Sequence, residues 1–191
     1  YLIQTLSLMN QQQPEIELLR DVNATLIPHG EEFLLSKGDK VTITHRLGGN
    51  FTVMTLNGMY RIAAKDADSL GEKGSEFTEK NHPEGTEPAS EETIRDNLKS
   101  VFDPEIPVNV VDLGLIYKVE IEDVKERGRI AFVDLTLTAP GCGMGPVIAE
   151  DVKGKVLELP GIDDAEVEIV WDPPWTQDMM SEEGKMELGL I

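Results

Sequence analysis

Residues 139–145 read Ala-Pro-Gly-Cys-Gly-Met-Gly and place the chain's one cysteine, Cys142, between a run with strand periodicity and an amphipathic helical run. A thiol acts as nucleophile or metal ligand only as the thiolate. Backbone amides at a helix start carry partial positive charge, so the sequence predicts that Cys142 ionises below the reference value of about 8.5. Gly141, Gly143 and Gly145 let those amides turn towards the sulfur, as in an anion nest. If Val133, Leu135 and Leu137 face the core, Asp134, Thr136 and Thr138 share the opposite face, and the Thr138 hydroxyl can donate to the thiolate or to a bound group. The plain alternative is a small buried hydrophobe, but a space-filling cysteine needs no glycine on both sides.

Asp103-Pro104-Glu105 is the second candidate. Two carboxylates beside a rigid proline can accept protons or join a hard metal site, although Asp-Pro is also common punctuation after a helix. His29, His45 and His82 are scattered without ligand spacing, and one cysteine rules out an all-cysteine site within one chain. Trp171-Asp172-Pro173-Pro174-Trp175 reads as a stiff loop that packs two aromatics, or as a partner surface where a tryptophan is exposed. Met144, Met179, Met180 and Met186 read as packing residues.

These groups need elements to hold them. In the first part of the chain Val41, Ile43 and His45 alternate with Thr42 and Thr44, and Gly48-Gly49-Asn50 and Asn57-Gly58 are turn signals. A meander over 40–46, 51–56 and 59–63 follows, within a small antiparallel β unit spanning 15–64. Residues 65–92 are acid-rich with little apolar periodicity and read as a solvated linker that lets its flanks move separately, with Leu70 and Phe77 as docking points. Ser90 is a helix cap, and Ile94, Leu98, Val101 and Phe102 mark one helical face. Two strands follow, through Leu115 to Ile121 and Val133 to Leu137. A second helix carries Pro146 in its first turn and Ile148, Val152 and Val156 on one face. A strand through Val167, Ile169 and Trp171 comes next, then a short helix from Ser181. The expectation is an α+β fold: a β-rich N-terminal unit, then a helix-strand-strand-helix-strand sandwich over 93–191.

The charge narrows the partners. With 17 basic against 36 acidic residues and a net charge of -19, the chain is a poor match for nucleic acid or an anionic membrane. A single cysteine suits a reducing compartment, and the apolar start is too short to span a bilayer, so a cytoplasmic protein is expected. Residues 1–14 read as a disordered extension, with Met9 as a candidate natural start.

Four motifs occur in one order: Asp103-Pro104-Glu105-Ile106-Pro107-Val108-Asn109, Asp112-Leu113-Gly114-Leu115-Ile116-Tyr117, Leu135-Thr136-Leu137-Thr138-Ala139-Pro140-Gly141-Cys142 and Trp171-Asp172-Pro173-Pro174-Trp175. Together they resemble the PaaD-like domain family of iron-sulfur cluster assembly factors over about residues 90 to 191. The preceding β unit, the Gly-Cys-Gly-Met-Gly loop and Met179-Met180-Ser181-Glu182 resemble that family's SufT-like members. The resemblance implies an accessory factor for maturing iron-sulfur proteins rather than an enzyme. It implies a site of Asp103, Glu105, Thr138 and Cys142 lined by Ile106, with Ala139 where some relatives carry a second threonine. It also implies self-association, with scaffold or carrier proteins and client apoproteins as partners. Three roles follow: transient ligation of iron or a cluster by Cys142, an adapter that never touches metal and uses Trp171 and Trp175, or a thiol enzyme with Asp103 or Glu105 as base.

Overall fold

The computed structural model describes residues 14–73 and 86–191; the expectations for 1–13, Phe77 and His82 lie outside these. In the first unit, β1 (Glu15–Glu17), β2 (Val22–Ile27), β3 (Glu32–Leu35), β4 (Lys40–Leu47), β5 (Asn50–Thr55) and β6 (Gly58–Ile62) form one antiparallel sheet in the order β1-β4-β5-β6-β2-β3. The β4-β5-β6 meander turns at Gly48-Gly49 and at Asn57-Gly58, where all three glycines have positive φ. Val22, Val41, Val53 and Ile62 alternate inward and close a core with Leu18. His45 departs from the alternation, because a register shift between Ile43 and His45 turns its side chain out to solvent.

The acidic stretch after this sheet begins as packed structure. Ala64–Leu70 forms a 3-10 helix that buries Ala67 and Leu70 in the first core, while Arg20 grips Asp66 at 2.9 Å and Asp68 at 2.6 Å. Acidic composition hid this because the acids face outward from two small apolar anchors.

In the second unit the Ser90 hydroxyl accepts the Thr93 N–H at 3.1 Å and starts α1 (Glu91–Leu98), which buries Ile94 and Leu98. β7 (Ile116–Val124) and β8 (Gly128–Leu135) pair antiparallel; α2 (Gly145–Leu157) then carries the chain back to β9 (Asp164–Ile169), parallel to β8. Ser181 caps α3 (Glu182–Glu187) through the Gly184 N–H. Ile148, Val152 and Val156 of α2 meet Val133 and Leu135 of β8 in one core. This is the expected α+β arrangement.

The two units pack directly on each other. Ile27, at the end of β2, is buried in the core of the second unit. Arg61 of β6 pairs with Asp151 of α2, to which the Asn50 amide also donates at 3.3 Å. A cleft of about 900 Å³ runs along this interface, lined by Asn23, Thr25, Arg61, Val147, Asp151 and Lys155 among others.

Candidate functional site

Because α2 connects the parallel strands β8 and β9, its starting loop lies beyond the carboxyl end of β8, where open α/β sheets commonly place ligands. Leu137 is buried and Thr138 is half-buried, after which the chain enters a turn. The Cys142 N–H donates to the Ala139 carbonyl at 3.4 Å and the Gly145 N–H to the Cys142 carbonyl at 3.2 Å. Gly141 occupies a positive φ of 80°, which glycine adopts without strain. Cys142 is half-buried against the second core, and Met144 behind it is fully buried.

The opening of α2 suits an anion. Met144 gives no side-chain cap and Pro146 has no N–H. The N–H groups of Gly143, Met144 and Val147 have no acceptor among the described residues. Such amides sit at the positive end of the helix dipole and favour negative charge on a ligand bound there. Thr138 makes no hydrogen bond to the thiol among the described residues. Thr136, expected on the face opposite Leu135 and Leu137, is buried like them, and its hydroxyl has no hydrogen-bond partner among the described residues.

The second candidate turn follows α1. Phe102 bridges to Asn109, and Asp103 folds inside that loop with its Oδ1 accepting the N–H groups of Glu105 at 2.8 Å and Ile106 at 3.0 Å. Burial pushes the Asp103 carboxyl above its ordinary value, opposed by these two donors. Glu105 is also raised, first by desolvation and then by the Asp103 charge. Asp103, Glu105 and Ile106 therefore share one turn, while Thr138 and Cys142 occupy another. Ile106 and Cys142 both border the second core, and no hydrogen bond joins the two turns among the described residues. Nor do the described residues contain a cluster of three or more His, Cys, Asp or Glu side chains able to hold a metal ion.

The aromatic loop splits. Trp175 donates its indole N–H to the Leu113 carbonyl at 2.8 Å, and the Tyr117 hydroxyl donates to the Pro173 carbonyl at 2.8 Å. Trp171 is 47% exposed. The Asp112 motif is structural: its Oδ1 accepts from the Ser181 hydroxyl at 2.9 Å, and Gly114 lies against the Met179 carbonyl where no side chain fits.

Sequence reasoning also missed the neighbour of the cysteine turn. A Cβ on Gly143 would overlap the His29 carbonyl, and one on Gly30 would overlap the Gly143 carbonyl. The β2–β3 turn of the first unit, with exposed His29 in it, therefore crosses backbone to backbone over the residue after Cys142. The β4–β5 turn does the same at the other loop, where Gly48 meets the Ser100 carbonyl and the Phe102 ring. Two sequence-distant turns crossing at glycines leave no local signal.

No helix among the described residues is long and apolar enough to cross a membrane. Residues 91–169 match the family model described as iron-sulfur cluster assembly protein. The chain is 50% identical over 90 residues to the Fe-S protein maturation auxiliary factor SufT of Staphylococcus aureus, covering 47% of this chain and 98% of that protein. It is 44% identical over 104 residues to the Fe-S protein maturation auxiliary factor YitW of Bacillus subtilis, covering 54% and 98%. A shorter match, 35% identical over 71 residues, covers 37% of this chain and 19% of an iron-sulfur cluster carrier protein of Deinococcus radiodurans. The chain thus belongs to the family of iron-sulfur cluster assembly proteins and is a SufT-like Fe-S maturation factor, with its first unit outside the matched family model.

Proposed function

We propose that the protein is a non-enzymatic accessory factor in which the Cys142 thiolate transiently ligates iron or an iron-sulfur cluster on its way to a client apoprotein. The observation that carries this reading is the Cys142 turn: a half-buried thiol at the start of α2, near three amides without acceptors among the described residues, inside the family-matched segment. Iron and cluster iron take thiolate ligands, and one thiolate per chain leaves the ligand set open. A second copy of the chain, or cysteines of a client or carrier, completes it. An incomplete set suits delivery, because a fully ligated cluster has no ready exit. Ligation releases the thiol proton, and the same proposal has Asp103 or Glu105, from the separate turn after α1, receive it or supply an oxygen ligand. The carrier protein that contains a related segment supports iron-sulfur carriers as partners; client apoproteins and a cytoplasmic location belong to the same proposal.

Anaerobic reconstitution with iron and sulfide tests this. The wild type takes up iron with visible absorption, and Cys142→Ser does not; equal binding by both removes the ligation reading. Exposed Trp171, on a loop anchored by Trp175 and Tyr117, favours a second reading in which the protein is an adapter that holds clients near a carrier without touching metal. In that case Cys142→Ser retains client binding and full maturation activity, while Trp171→Ala loses both.

A further inference from the structure

The cysteine turn does not determine its own shape. Its internal hydrogen bonds are long, 3.4 Å and 3.2 Å, and three of the residues around Cys142 and Met144 are glycines with broad backbone freedom. What lies against it is another backbone. The β2–β3 turn is held by hydrogen bonds from the Gly30 N–H to the Leu26 carbonyl at 2.8 Å and from the Leu26 N–H to the Glu31 carbonyl at 2.7 Å. Its base, Ile27, is sunk in the second core. From this seat Gly30 and the His29 carbonyl meet Gly143, the residue after Cys142. The ion pair from Arg61 to Asp151 fixes α2, the helix that the cysteine turn starts, to the same sheet. The β4–β5 turn meets Ser100 and Phe102, immediately before Asp103.

We propose that the first unit is a clamp on both loops of the candidate site, with Gly30 the positioning residue for Cys142 and Gly48 the positioning residue for the Asp103 turn. The clamp sets how far the thiol is exposed and how closely the amides of α2 approach it. It rests on the reading that Cys142 is the working thiol, and it assigns a role to the first unit, which lies outside the matched family model. If the first unit were only cement between two bodies, disturbing Gly30 would change stability and leave thiol chemistry alone.

The test is alkylation of Cys142 by iodoacetamide in the full chain, followed from pH 6 to pH 10. Rates are compared only where urea titration shows the variant to be folded. Gly30→Ala places a methyl group on the Gly143 carbonyl. Gly38→Ala is its control, since Gly38 has a similar φ of 87° against 77° but open space around the added methyl. The clamp predicts that Gly30→Ala raises the plateau rate fivefold or more, or moves the midpoint of the pH profile, while Gly38→Ala stays within twofold of wild type. Should Gly30→Ala fail to fold, Arg61→Gln with Asp151→Asn loosens the same interface without backbone strain and is expected to raise the rate at least twofold. An unchanged profile in folded Gly30→Ala, or in the double variant where it replaces it, overturns the clamp. The assay uses no iron, so the two readings fail separately. A shifted profile with Cys142-independent iron binding keeps the clamp and removes ligation, and the reverse pattern does the opposite.

Discussion

Replacing Arg61 with leucine isolates the polar contact that ties the sheet to α2. The Arg61 side chain is 11% exposed and that of Asp151 26%, and without the guanidinium the carboxylate keeps the Asn50 amide at 3.3 Å and the Lys155 charge, the latter opposed by Glu150. Removing one partner of a fully buried pair costs about 3–5 kcal/mol, because the other charge is left in low dielectric. Asp151 keeps some contact with water, so the expected loss at pH 8 is about 2–3 kcal/mol. With a urea slope of about 1–3 kcal/mol per molar, the midpoint falls by about 1 M or more. The pH dependence identifies the cause. Burial already raises the Asp151 carboxyl despite Arg61, and losing Arg61 raises it further, so the variant binds a proton more readily than wild type as pH falls. Its deficit therefore shrinks towards pH 4. Adding Asp151→Leu removes the stranded charge and recovers most of the loss at pH 8. A deficit in Arg61→Leu that is flat from pH 8 to pH 4, or a double variant as unstable as the single one, would refute the argument that an uncompensated buried carboxylate is responsible.

Two further substitutions probe the interface and the second turn. Ile27→Ala leaves a cavity where a first-unit side chain fills the second core, and should cost about 2–4 kcal/mol in urea unfolding; a loss below 1 kcal/mol would mean that the junction is not a true core. Asp103→Asn keeps an oxygen for the Glu105 and Ile106 N–H groups while removing a buried charge. Because the folded Asp103 carboxyl is raised, its contribution to stability is present below the unfolded value of 3.8 and is lost as pH rises through the folded one. The variant should accordingly match wild type or fall below it at pH 4 and exceed it at pH 7 in urea midpoints; a pH-independent difference would contradict the burial account.

Periodicity and caps carried most of the element order. Ser90 and Ser181 announce helices because a hydroxyl at that position can accept only where the first-turn amides are free, and both do so. The alternation of Val133 with Leu135 placed β8 because one face of that strand meets a helix. Short elements were less legible. β1 and β3, of three and four residues, are too brief for period two to show, and β2 buries Val22, Ala24 and Ile27 out of strict alternation. His45 was misread because a bulge changes which side chains face inward without changing residue type.

The candidate site stands out in the sequence by its chemistry, but the structure that supports it does not. A thiol among glycines stands out because a space-filling cysteine needs no such neighbours, whereas two carboxylates beside a proline draw notice only for the chemistry that they could do. Gly30 and Gly38 carry the same local mark: both sit in turns that flank β3 and both take positive φ. One meets the Gly143 carbonyl and the other meets nothing. A glycine required by its own backbone and a glycine required by a crossing chain leave the same letter in the sequence, and only the fold separates them. This is why the pair is the informative comparison. If both substitutions strain the backbone alike but only Gly30→Ala changes the chemistry of Cys142, the difference points to the crossing, a contact that Gly30 makes and Gly38 lacks.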